Sequence, residues 1–271
     1  MQINFCTIAS GSSGNSVFVS TPQAKILIDA GLSGRTIESG LCGNGINCAE
    51  IDAIFITHEH TDHIKGAGVL SRRYDMPIYA TAGTWEYLNH MQAIGKIADK
   101  NKMLITPDTP ISFDDMEIMP FAVPHDASQP VGYTIKSGDY KIAIATDLGH
   151  ISDNVAKNIY EADVILIESN HDLTMLESGP YPAHLKRRIL SDTGHLSNVS
   201  CGRFLADIFS PKTKHIFLGH LSQENNRPVL AYETVKNILL SNKIDAGGSG
   251  SGSVGLYLAN RHSPSAMLSL L

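Results

Sequence analysis

Several common chemistries are missing from this chain of 271 residues. Its four cysteines, Cys6, Cys42, Cys48 and Cys201, form no CxxC pair. That spacing favours free thiols in a reducing compartment over a disulfide framework. No apolar run approaches the roughly 18–20 residues that span a bilayer. The opening Met-Gln-Ile-Asn-Phe-Cys lacks a basic leader, so the expected location is the cytoplasm, with no membrane partner. A GxSxG elbow is absent and no cysteine sits in a catalytic signature, which removes the usual side-chain nucleophiles. Basic residues are not in excess either: 21 Lys and Arg face 27 Asp and Glu, for a net charge of −6. Net charge therefore does not announce a nucleic-acid binder, although bound divalent cations would add positive charge where acidic ligands cluster. With 18% charged and 42% hydrophobic residues, the composition is that of an ordinary globular protein able to bury a substantial core.

Apolar runs of strand length alternate with helical patterns throughout. Strands are expected at Ile3–Ile8, Ser16–Ser20, Lys25–Asp29, Ala53–Thr57, Ile78–Ala80, Glu117–Val123, Val131–Lys136, Lys141–Thr146, Val164–Glu168, His215–Leu218 and Val254–Leu258. Helices are expected at Thr36–Leu41, Ile64–Tyr74, Thr84–His90, Ala183–Leu190, Val199–Phe209 and Arg227–Leu240. The Ser/Gly-rich stretch Ala246–Ser253 reads as a loop. With no linker between the halves, one α/β domain with helices covering sheet faces is expected over 1–271.

The densest chemistry follows the fourth strand, where His58, His60, Asp62 and His63 fall within six residues. In an extended segment, residues 58, 60 and 62 point to one side and 63 follows across the turn, so one segment can serve two adjacent ions. Imidazole suits zinc, copper, iron and nickel, and a carboxylate brings in manganese. Further ligand-type residues end other strands: His125, Asp147 and His220. Loops at one sheet edge can gather such residues although they lie far apart in sequence.

The combination resembles the metallo-β-lactamase superfamily in its dinuclear hydrolase branch. The matching motifs are Asp29 in Leu27-Ile-Asp-Ala-Gly31, HxHxDH at 58–63, His125, Asp147 and His220, in the family's order. The resemblance implies an αβ/βα four-layer sandwich with a site for two divalent ions, zinc, manganese or iron. It implies that His58, His60 and His125 hold one ion, that Asp62, His63 and His220 hold the other, and that Asp147 bridges them. Asp29 would orient the histidine loop, a support that metal sites normally need. Two ions about 3.5–4 Å apart share a water, lower its pKa and polarise the scissile group. Asp62 would orient the resulting metal-bridging hydroxide.

Ser10-Gly-Ser-Ser-Gly-Asn15, Glu168-Ser-Asn-His-Asp172, Gly194-His195-Leu-Ser-Asn198, the 218–226 stretch and Ala259-Asn-Arg-His-Ser-Pro-Ser265 are similar to the YycJ/VicX family. That likeness implies a metal-dependent phosphodiesterase with 5′-to-3′ exonuclease action on DNA. Asp147 in place of a cysteine suits phosphate chemistry. His195 is either a helix-entry residue or a catalytic group that protonates a leaving oxygen. Lys186, Arg187, Arg188 and Arg227 are either solvated helix residues or contacts to substrate phosphates. The 10–15 turn lacks a P-loop lysine and reads as a tight turn between strands. His171, His150, His184 and His215 are expected to line or cap rather than to ligate. Two other functions fit less well: a glyoxalase-II-like thioester or lactone hydrolase, and a non-catalytic regulatory protein with a closed metal site. About 70 residues between Asp147 and His220 leave no room for a full extra domain, so large structured RNA is a less natural substrate.

Overall fold

The apolar runs of the N-terminal half pair into a mixed sheet with two differently used faces. The computed structural model describes residues 2–248 and 252–271. These group into two compact units. The first runs to Ala122 and adds Ala127–Tyr140 and Asn260–Leu271; the second comprises Val123–Asp126 and Lys141–Ala259.

In the first unit the strands β1 (Ile3–Ala9), β2 (Ser16–Ser20), β3 (Lys25–Ile28), β4 (Ala53–Phe55), β5 (Ile78–Thr81) and β6 (Lys102–Ile105) lie side by side in that order. The C-terminal strand Leu268–Leu270 pairs antiparallel with β1. β1 to β3 are antiparallel and β3 to β6 parallel. Parallel neighbours need crossovers, and these carry α1 (Gly34–Gly43), α2 (Thr61–Ile64), α3 (Ala67–Tyr74) and α4 (Ala82–His90). Alternation along β4 and its extension assigns the faces. Ile54 and Ile56 join Ile37, Leu70 and Trp85 of the helices in one buried cluster. Phe55 faces the other way, stacks on Tyr79 at 4.4 Å and meets Phe113 and Tyr133 edge-on. Those two rings come from the antiparallel meander β7 (Ile111–Phe113), β8 (Met116–Ala122) and β9 (Val131–Ser137).

The second unit is parallel: β10 (Tyr140–Ala145), β11 (Val164–Glu168), β12 (His215–Gly219) and β13 (Gly255–Leu258) in register. Its crossovers hold α5 (Asp153–Ile159), α6 (Leu173–Ser178), α7 (Ala183–Ile189), α8 (Asn198–Asp207) and α9 (Pro228–Ser241). Every residue of β11 is buried, as an unbroken apolar run in a parallel sheet requires. Gly202 lets α8 approach α9, because a Cβ there would lie 2.8 Å from Ile238.

The expected helix Ile64–Tyr74 forms only over Ala67–Tyr74, and Ile64 instead ends the separate helix α2. Gly66 separates them, and a Cβ on it would come within 2.4 Å of the Leu32 carbonyl, so the backbone itself packs there. Sequence patterning also misses β6, β7, the C-terminal strand, α5 and α6. Met103 and Leu104 of β6 are both exposed, so that strand shows no inside–outside alternation to read. Residues 249–251 of the expected Ala246–Ser253 loop lie outside the described residues. Cys6, Cys48 and Cys201 are buried and Cys42 is exposed, all as free thiols. Among the described residues no helix is long and apolar enough to cross a membrane.

Candidate metal centre

The first unit gathers its ligand-type residues where β3 and β4 end. Asp29 follows β3 with a φ of 61°, a left-handed conformation that a non-glycine residue keeps only when its surroundings fix it. Its Oδ1 accepts the Thr57 N–H at 2.8 Å, and its Oδ2 accepts the Thr57 hydroxyl at 2.8 Å. Oδ2 also stands 2.7 Å from His63 Nδ1. Burial raises the Asp29 carboxyl above its ordinary value, and His63 and Thr57 offset only part of that rise. An ionised carboxylate only accepts, so His63 carries its proton on Nδ1 and presents a lone pair at Nε2. The Asn15 amide nitrogen stands 3.2 Å from that Nε2.

The same reasoning extends to His58. The Thr57 hydroxyl has donated to Asp29, so it accepts from His58 Nδ1 at 3.1 Å, which again leaves Nε2 as the lone pair. His58 Nε2 and His60 Nδ1 are 3.0 Å apart. Two nitrogens on one tetrahedral ion sit roughly 3.3 Å apart for metal–nitrogen lengths of about 2.0–2.1 Å. Glu59 points the opposite way, where its Oε1 accepts the Ser128 N–H at 2.6 Å and hydroxyl at 2.7 Å. Gly31 makes room for the loop: a Cβ there would sit 1.6 Å from the Asp62 carbonyl oxygen. That carbonyl accepts the Asn15 N–H at 2.8 Å, and the His63 carbonyl accepts the Ala30 N–H at 2.8 Å. The 10–15 turn therefore acts as a brace for the HxHxDH loop.

The second unit gathers its residues at the carboxyl ends of its parallel strands. Asp147 and His220 again have positive φ, 61° and 51°. Between them Glu168 closes β11 with no exposed surface. Its Oε1 accepts from His195 Nδ1 at 2.9 Å and His220 Nδ1 at 2.7 Å. Its Oε2 accepts the N–H groups of Leu148 at 2.8 Å and Leu196 at 2.9 Å. Burial alone would raise this carboxyl; the imidazoles of His195 and His220 outweigh it and hold the pKa down to about 2. His125 donates from Nδ1 to the Gly194 carbonyl at 3.2 Å, and burial lowers its pKa. Both His125 and His220 thus keep Nε2 as an electron pair. Asp147 Oδ1 lies 3.7 Å from the first Nε2 and 3.5 Å from the second. Those separations exceed a hydrogen bond and match donor atoms arranged around a cation. Burial works against a proton on His195, but the Glu168 and Asp147 carboxylates prevail and raise its pKa. Imidazole lone pairs together with carboxylate oxygens fit a divalent transition metal.

A family model, the beta-lactamase superfamily domain, matches residues 24–217. Exodeoxyribonuclease YycJ of Bacillus anthracis is 42% identical over 239 residues, covering 88% of this chain and 90% of that protein. Exodeoxyribonuclease WalJ of Streptococcus pneumoniae serotype 2 is 42% identical over 243 residues, covering 90% of each. The chain belongs to the YycJ/WalJ family of metallo-β-lactamase-fold proteins. Among solved structures, the metallo-β-lactamase fold protein YhfI from Bacillus subtilis matches with a TM-score of 0.72 over 97% of this chain and 99% of that one, at 16% identity. Identity that low speaks for the fold alone, and the fold is the α/β class expected from the motifs. As a member of this family the chain is a hydrolase.

Other expected residues of this YycJ/WalJ-family protein have mixed surroundings. Arg188 clamps both carboxylate oxygens of Asp126, the neighbour of His125, with Nη2 at 3.0 Å from Oδ1. Lys186 donates to the Glu177 carbonyl at 2.7 Å. Arg187 and Arg227 are exposed. His150 lies 2.8 Å from the Asp192 carbonyl, His184 is exposed, and His215 stacks near Tyr257 at the opposite end of β12. His171 is buried, and neither ring nitrogen has a hydrogen-bond partner among the described residues. Sequence reading gave Glu168 no role, although an acid closing an all-apolar strand was a signal. It also missed the Asn170, Asn198 and Asn226 network, in which Asn170 donates to the His220 carbonyl at 2.9 Å.

Proposed function

We propose that the whole 1–271 chain acts as one metal-dependent phosphodiesterase domain that degrades DNA from the 5′ end in the cytoplasm. The reading is carried by 42% identity, over about nine-tenths of both chains, to relatives named exodeoxyribonucleases. It is supported by three histidines, His63, His125 and His220, whose Nδ1 protons are each taken up by a fixed acceptor. In the proposed assignment His58, His60 and His125 hold one divalent ion, Asp62, His63 and His220 hold a second, and Asp147 serves both. Zinc, manganese and iron all suit such donors. When bound, the ions supply charge to polarise a phosphoryl oxygen and to acidify water.

The chain's own groups supply the rest. The Asp62 carboxylate, partly open to solvent, orients the attacking water by accepting a hydrogen bond from it. His195 has Nδ1 committed to Glu168, so the proton on Nε2 of its imidazolium is the one available to a leaving oxygen. Of the four cations expected at substrate phosphates, Arg187 and Arg227 are exposed and keep that assignment. The test uses duplex DNA labelled at either end, with Mn²⁺ or Zn²⁺ added. The expected result is progressive release from the 5′ end, abolished by His60→Ala. Intact DNA, with hydrolysis of a glutathione thioester instead, would overturn the reading.

A further inference from the structure

The first unit holds a cleft of about 430 Å³ lined by none of the proposed metal ligands. Helix α1 contributes Arg35, Ser39 and Gly43, and the segment after Ala259 contributes Arg261 and His262. Among the described residues no carboxylate lines it. Arg35 is exposed and has no ion-pair partner among the described residues. In a chain of net charge −6, two guanidinium groups in an acid-free cleft reverse the average sign of the surface. Arg261 Nη1 lies 3.3 Å from the Ser12 hydroxyl and 3.4 Å from that of Ser13. Those serines belong to the turn whose Asn15 holds the Asp62 carbonyl and meets His63 Nε2. One turn therefore links the cleft to the HxHxDH loop.

We propose that this cleft binds the phosphate backbone of the DNA strand being degraded, a proposal that rests on the nuclease reading. Guanidinium groups match phosphate oxygens with paired donors, and the Ser39 hydroxyl adds another donor. The apolar wall at Leu32 suits a sugar or base face. A volume within the usual range of about 300–1,000 Å³ for ligand pockets takes a nucleotide unit rather than a lone phosphate. Gly43 offers a direct probe: a Cβ there meets no atom within 4 Å, so a new side chain enters open space.

The measurement is fluorescence anisotropy of a labelled single-stranded oligonucleotide in excess EDTA, where cleavage stops and binding alone is read. Arg35→Glu and Gly43→Glu should each raise the Kd roughly tenfold and flatten its dependence on salt, while Arg35→Lys stays within about twofold of wild type. Wild-type Kd and salt slope in both glutamate variants, with thermal melts showing them folded, overturn the cleft. If wild type cuts DNA with Mn²⁺ while those variants bind normally, the cleft fails and the nuclease reading stands. If wild type leaves DNA intact, the nuclease reading fails, and equal or unequal affinities in EDTA still decide the cleft.

Discussion

Replacing Glu168 by Gln tests whether one buried carboxylate organises the ligand-type residues at the strand ends of the second unit. Its two oxygens accept from four donors: two imidazole nitrogens and two backbone N–H groups. An amide presents one acceptor oxygen and an NH₂ group, so at least one original donor would face another donor. Hydrogen bonds to a charged group contribute about 1.5–3 kcal/mol each, and breaking a buried charged pair costs about 3–5 kcal/mol. A loss of about 3 kcal/mol or more is therefore expected. For a chain of this size that corresponds to a fall in melting temperature of at least about 6 °C, at roughly 2–4 °C per kcal/mol. Melting should be followed by circular dichroism in EDTA, so that bound metal does not mask the change. Glu168→Asp should also destabilise, because the shorter stem cannot reach both imidazoles and both N–H groups. A Glu168→Gln protein that melts within about 2 °C of wild type and retains its metal content would refute the anchoring role.

Two further outcomes follow from individual residues. Gly31→Ala places a methyl group 1.6 Å from the Asp62 carbonyl oxygen, so the HxHxDH loop must move; metal content measured by atomic emission should fall together with nuclease activity, and unchanged metal would sink this explanation. His171 has its pKa lowered to about 4 by burial. The unfolded chain therefore takes up a proton near pH 6.5 while the folded one resists until about pH 4, so this contribution is complete above pH 6.5 and lost as pH falls through that window. The loss is roughly 3 kcal/mol, and His171→Leu should show a correspondingly shallower decline in denaturant midpoint between pH 7 and 4.5. Parallel declines would mean that His171 titrates normally in the folded state.

Much of the site was legible because its signals are local. HxHxDH puts four donors after one apolar strand, and Asp29, Asp147 and His220 each follow a strand long enough to recognise. Positive φ at all three could not be read, since aspartate and histidine carry no glycine-like marker of it. Helix α3 was extended through Gly66 because helical periodicity does not reveal that a distant carbonyl occupies the space beside that glycine.

The sequence by itself determined the family and the α/β class and supplied the candidate ligands, because these depend on side-chain type and on spacing along the chain. Tertiary structure decided the jobs those residues do. Glu168 and His220 are 52 positions apart, and Arg188 and Asp126 are 62 apart. No local pattern predicts that the acid fixes two histidine tautomers, or that the arginine is held by a carboxylate. Likewise Arg35 and Arg261 share a cleft only because the C-terminal segment returns to the first unit. Hydrogen bonds and charges act over a few ångströms of space, whatever the distance along the chain.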